Sequence, residues 1–411
     1  MTLVALSPAI FFVAISSVMR GYFNGRQNIK ATARSQSIEQ LFKTSLTIIL
    51  VEIIAIISNV STEWMAGGAT LATTLATMAG FGYLYMFYKV RSKEIGNEIK
   101  HTVNYKYERV TTIIKKILMV SIPIALTAIL SSINKNIDSF TVVRSLRQFM
   151  SEDMAIAQYG ILGGKVDMLT SLPLSINVAF STALVPAIAA AKAKRDNKTI
   201  TEKTSFSLLI SMLIGLPCTL GMCLFAGPIL NLLFPNQSDG AVILAISSLT
   251  IIFTILDQTI NGALQGYGKL RIPAIAFGCG VIAKFILNLI LVPIPQIGVN
   301  GAAIASVVCH LVAFTIAIIS LMKNIKLNLT FSKFVIKPII ATGIMGICSY
   351  FIFSNLLGII GNKMAIIVAI LTAIIIYILA VVALKIFNKD EILKLPMGNK
   401  IYGIFEKLKI Y

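Results

Sequence analysis

Apolar runs of about 20 residues, each long enough to cross the hydrocarbon layer of a bilayer as one helix, recur along this 411-residue chain with short charged loops between them. Eleven can be marked, at roughly 2–19, 37–58, 65–88, 112–133, 159–190, 204–226, 241–264, 272–293, 299–322, 335–355 and 364–386. No water-soluble core of this length could hide so much apolar surface: 56% of the residues are hydrophobic, 13% are charged and the mean hydropathy is +0.85. The fold class this predicts is all-α, a polytopic membrane protein of about eleven transmembrane helices.

Charge tests the span count, because Lys and Arg are retained on the cytoplasmic side during insertion. Segments 20–34, 89–116, 192–203, 269–271, 323–337 and 385–411 hold 29 of the 36 Lys and Arg, whereas the intervening loops hold four: Lys135, Arg144, Arg147 and Lys363. Basic loops therefore alternate with nearly neutral ones, which predicts a multi-pass protein of the bacterial cytoplasmic membrane with a cytoplasmic C-terminus and Met1 on the outer face. The net charge of +19 is spread between the spans rather than clustered on a soluble face, so no nucleic-acid partner is expected. The first run has no basic stretch before it and no small-residue cleavage site after it, and reads as a span rather than a removable signal.

The fifth run is too long for one crossing. Gly160, Gly163, Gly164, Pro173 and Pro186 predict a broken or bent element there, of the kind that lines cavities. Internal similarity is also visible. Arg20-Gly21-Tyr22 closes the first span and Gln265-Gly266-Tyr267 the seventh, and GRQNIKATA (25–33) follows the one as GKLRIPAIA (268–276) follows the other. Copies six spans apart imply parallel repeats. On that reading residues 1–110 are a partial first lobe of three helices, 111–325 a complete six-helix second lobe, and 326–411 a C-terminal helix pair with a cytoplasmic tail.

No catalytic constellation, metal-ligand cluster, cofactor motif or Walker A sequence is present, so the chain reads as neither an enzyme nor an ATPase, with no cofactor and no metal. His101 and His310 stand apart, and Cys218, Cys223, Cys279, Cys309 and Cys348 all fall in apolar runs as small buried hydrophobes. The informative residues are ionisable groups inside spans, where a charge costs roughly 2.5–3.5 kcal/mol. Glu39 and Lys43 are four apart, in the order that favours an intrahelical ion pair. Lys284, with Asn288 one turn on, is too deep to reach either interface and reads as a cavity residue or as a hydrogen-bonded contact between helices. Asp257 lies in a polar stripe with Gln258 and Asn261 that could face a cavity or a neighbouring helix. Asp138, Arg144, Lys165 and Asp167 fall near the outer ends of the fourth and fifth spans, as an outer gate or as solvated charges. Glu52 is expected at the interface.

The segment RGYFNGRQNIKATARSQSIEQLFK (20–43), and the layout of YGILGGKVDMLTSLPLSINVAFSTALVPAIAAAKAKRD (159–196), resemble the stage V sporulation protein B and lipid II flippase branch of the multidrug/oligosaccharidyl-lipid/polysaccharide (MOP) exporter superfamily. The resemblance implies a MATE-like fold of two six-helix lobes around a central cavity, with a trailing helix pair, working by alternating access. Eleven spans equal that plan without its first three helices, so the fold is expected to be incomplete and the reading frame to be truncated at its start. It also implies a flippase that moves polyprenyl-diphosphate-linked saccharides for cell-wall or surface polysaccharide, in a basic cavity that neutralises the diphosphate. Arg20, at the cytoplasmic mouth, becomes a first contact for that diphosphate, or simply a positive-inside anchor. Membrane lipids, a coupling cation and cell-wall synthesis enzymes are the further partners implied. The alternatives are a cation-coupled multidrug exporter using Asp257 and Glu39, and an inactive or scaffolding fragment.

Overall fold

The computed structural model describes residues 2–26, 28–57, 62–101, 108–235, 237–328, 330–388 and 391–392. Most of the basic 385–411 segment and part of 89–116 lie outside the described residues. All regular structure among the described residues is helical, as an apolar solvent demands of a backbone that must satisfy its own hydrogen bonds. The helices are α1 (Thr2–Gly25), α2 (Ile29–Ile57), α3 (Thr62–Lys100), α4 (Val110–Leu146), α5 (Glu152–Gly160), α6 (Asp167–Ala193), α7 (Asn197–Leu224), α8 (Ala226–Leu233), α9 (Ala241–Gly266), α10 (Arg271–Leu291), α11 (Val299–Asn324) and α12 (Lys337–Ala383).

Eight helical stretches among the described residues are long and apolar enough to cross a membrane. The last of them holds both runs expected at 335–355 and 364–386, because α12 is interrupted at Gly361, whose φ of 72° is open to glycine. The second and third expected runs lie in α2 and α3, 29 and 39 residues long. The regular α-helix of the fifth run is interrupted where its glycines cluster: between α5 and α6 the chain makes a π turn over Ile161–Val166, the sequence ILGGKV, before continuing past Pro173 and Pro186. The short helix α8 carries no span-length signal and was not foreseen.

The chain divides into two compact units, Met1–Glu108 and Arg109–Tyr411. In the first, α3 packs along both α1 and α2, which touch each other little. Thr74 donates to the Ala5 carbonyl at 2.5 Å, and Phe23 meets Phe87 edge-on at 5.1 Å. In the second, α11 packs in the same way along α9 and α10, while α9 also packs on α6 and α7. The three-helix arrangement thus recurs where the sequence repeats. Both copies also close their first helix with the same kind of backbone bond, from Asn28 N to the Phe23 carbonyl (2.9 Å) and from Lys269 N to the Leu264 carbonyl (2.8 Å).

Close helix approach is carried by small residues, as expected where lipid removes the hydrophobic drive between helices. A Cβ on Gly262 would sit 2.6 Å from the Ser181 carbonyl oxygen, and one on Gly266 2.6 Å from that of Val185, so this Gly-xxx-Gly face lets α9 lie directly on the α6 backbone. The outer faces carry exposed large apolar residues, among them Ile117, Leu371 and Leu379, as a lipid-facing surface should.

Candidate functional site

A largely buried ion pair of the second unit lies between α4 and α10. Asn134, Asp138 and Thr141 share one face of α4 at helical spacing, and Lys284 and Asn288 share one face of α10. The Lys284 ammonium sits 2.5 Å from Asp138 Oδ2 and donates at 3.4 Å to the Asn134 carbonyl. Asn288 Nδ2 donates to Asp138 Oδ1 and to Thr141 Oγ1, each at 2.9 Å. With side-chain exposures of 2% for Lys284 and 13% for Asp138, neither charge is compensated by solvent, and each depends on the other.

This node forms one wall of a cavity of about 410 Å³ lined by α4, the π turn, α6, α9, α10 and α11. The stripe on α9 forms another wall. Asn261 Nδ2 donates to Asp257 Oδ2 at 2.9 Å, while Asp257 Oδ1 and Asn261 Oδ1 are buried without a partner among the described residues. Gln258 is tied to α6, its Oε1 accepting from Asn177 Nδ2 at 3.1 Å; Asn177 also reaches the Ile255 carbonyl at 2.9 Å and accepts from Ser211 Oγ at 2.9 Å, joining α6, α7 and α9. The stripe therefore does both things that its sequence left open. Asp167, at the end of the π turn, lines this cavity and an adjoining cleft of about 310 Å³ beside Gly163 and Gly164.

The ionisable lining of this cavity is mixed in charge. It consists of Lys135, Lys284 and His310 with Asp138, Asp167 and Asp257, because the cationic loops lie outside the cavity-lining helix segments. The four residues grouped as a gate also separate. Asp138 and Asp167 line the cavity, whereas Lys165 donates to the Gln237 carbonyl at 2.5 Å with its ammonium over the Phe234 ring, and Arg144 is exposed. Helical geometry explains the split: Arg144 is six residues beyond Asp138 and points to another side of α4.

In the first unit Arg20 is half-buried and donates to Glu39 at 2.6 Å and to Ser35 Oγ at 3.0 Å. This corrects the expected Glu39–Lys43 pair. The carboxylate is taken by a guanidinium from α1, which reaches two acceptors on α2 at once, and Lys43 is left exposed. Glu52 is exposed. Asn134, Thr141 and Asn177 were not singled out from the sequence. The signal for the first two is an Asn-xxx-Asp-xx-Thr register among the other polar residues of the second half of α4, readable only once its partner helix is known.

The family model described as lipid II flippase MurJ matches residues 2–383. Stage V sporulation protein B of Bacillus subtilis (strain 168) is 25% identical over 411 residues, an alignment covering 97% of this chain and 76% of that protein. Among solved structures, a lipid II flippase MurJ in an inward closed conformation superposes with a TM-score of 0.62 at 17% identity, covering 92% of this chain and 72% of the other. An inward-facing multidrug resistance MATE family transporter of the MOP superfamily superposes with a TM-score of 0.59 at 16% identity, covering 78% of this chain and 69% of the other.

Proposed function

The chain belongs to the lipid II flippase MurJ family, a family of multi-pass membrane transporters, and from that premise we propose that it moves a polyprenyl-diphosphate-linked saccharide across the bacterial cytoplasmic membrane by alternating access. The observation that carries this reading is the polar cavity of about 410 Å³ within a bundle whose outer faces are apolar. A sugar diphosphate headgroup is too polar to cross hydrocarbon unaided, whereas its prenyl tail is at home there. A protein that shields only the headgroup lowers the barrier for the whole lipid.

The ion pair between Lys284 and Asp138 supports a role in the cycle. It joins α4 to α10 through a contact that can separate only when something else satisfies both charges. Basic loops retained in the cytoplasm set the orientation, with the C-terminus on that side. A coupling cation and contact with cell-wall synthesis enzymes belong to the same proposal.

Reconstitution tests it. In vesicles holding the purified protein and a lipid-linked disaccharide fluorescently labelled on its headgroup, a membrane-impermeant quencher should reach label from both leaflets. Lys284→Ala should leave the inner-leaflet label protected at equal protein content. Protection persisting with the unaltered protein would reject the flippase reading, and efflux of cationic dyes in its place would support the multidrug exporter.

A further inference from the structure

Resting on that flippase reading, we propose that the cavity of the second unit receives the saccharide of the lipid-linked substrate and not its diphosphate. The reasoning is an inventory of what the lining can still offer. A phosphate oxygen only accepts hydrogen bonds and brings negative charge, whereas a sugar hydroxyl both donates and accepts.

Three hydroxyls of the wall have spent their protons. Ser131 Oγ donates to the Thr127 carbonyl at 3.0 Å, Thr250 Oγ1 to that of Ser247 at 2.7 Å, and Thr254 Oγ1 to that of Thr250 at 2.8 Å. What each retains is lone pairs, so toward a ligand they act as acceptors. The Asp167 carboxylate, exposed on the wall, adds acceptor oxygens.

Charged donors are scarce by comparison, although His310, whose Nδ1 is buried without a partner among the described residues, and the Ser247 and Ser306 hydroxyls also line the wall. Lys284 is engaged by Asp138 and the Asn134 carbonyl, and the Asn288 amide by Asp138 and Thr141. Among the described residues, Lys135 is the lining cation left without a partner, and it stands against both Asp167 and Asp257 once the Lys284–Asp138 pair is set aside. A diphosphate placed here would meet acceptors and like charge. A saccharide would donate its hydroxyl protons to Ser131, Thr250, Thr254 and Asp167, and accept from Lys135 and from the Gln258 amide nitrogen, for which no bond is seen among the described residues. The cavity volume, about 410 Å³, falls within the about 300–1,000 Å³ of small-ligand pockets.

The test compares two lipids on the purified full chain in nanodiscs, a polyprenyl diphosphate carrying a disaccharide and the same polyprenyl diphosphate without sugar. The unaltered protein should prefer the glycosylated lipid by about tenfold or more, and Thr250→Val with Thr254→Val should erase that preference while leaving the sugar-free lipid bound as before. Asp167→Asn supplies a second readout should the double variant fold poorly. It removes one negative charge from the wall and should leave affinity for the sugar-free lipid unchanged. Severalfold tighter binding of that lipid by Asp167→Asn, equal weakening of both lipids by the double variant, or no preference in the unaltered protein would each place the diphosphate in this cavity or the sugar outside it, and so overturn the proposal. If the unaltered protein binds neither lipid, the flippase reading itself falls, and this inference with it.

Discussion

Removing Lys284 alone would strand the Asp138 carboxylate in a wall that offers it only the Asn288 amide as a remaining donor. Breaking a buried pair from one side costs about 3–5 kcal/mol, whereas replacing both partners with apolar residues of like volume is often near neutral. Lys284→Ala should therefore lower the melting temperature of the detergent-purified protein markedly, and Asp138→Leu combined with Lys284→Met should recover most of the loss. A double variant as unstable as the single one would show that the contribution is not electrostatic. Lys284 and Asn288 stood out in the sequence because a charge and an amide interrupt apolar spans. Asp138 did not stand out as their partner, since 146 residues separate it from Lys284 and nothing local links them. Glu39 makes the complementary case: the rule for helical neighbours favoured Lys43, but a guanidinium on another helix offered a better-directed contact.

Among the elements, α7 starts on an identifiable cap. Asp196 Oδ1 accepts from Thr199 N at 3.0 Å and Oδ2 from the Thr199 hydroxyl at 2.6 Å. These hydrogen bonds, that of the Thr199 side chain foremost, hold the carboxyl below its ordinary range. A folded-state value that is depressed means the cap's contribution is complete above the unfolded value and lost as pH falls through the folded one. Amide exchange in the first turn of α7 should accordingly rise below about pH 4, and Asp196→Asn should flatten that dependence. Helix contact gives a sharper contrast. Gly262→Val would drive side-chain carbon into the Ser181 backbone and should destabilise by about 1–3 kcal/mol. Gly343→Ala, on α12 with open space where its Cβ would lie, should stabilise by about 0.5–1 kcal/mol. Equal melting temperatures for the two variants would contradict close packing of α6 on α9. The interruption at 161–166 was legible because glycines cluster there, whereas α8 was not, because eight mostly apolar residues carry no period long enough to mark a helix.

For the whole molecule, alternating loop charge predicts that Lys198→Cys and Glu152→Cys react with membrane-impermeant thiol reagents from opposite sides of the membrane. Labelling of both from one side would break the threading on which the repeat and the transport reading rest. The expectation of that threading, the all-helical class and the likeness of 20–43 and 159–196 to the family were available from the chain alone, because hydrophobic length, positive charge and short motifs are local properties that survive without coordinates. Which helices meet was not. Interior and exterior are nearly equally apolar in a membrane bundle, so periodicity has little polarity contrast to report. Only the tertiary structure could set Asp138 against Lys284 and bring Lys135, Asp167 and Asp257 to the same cavity, because those placements join residues that only packing brings together.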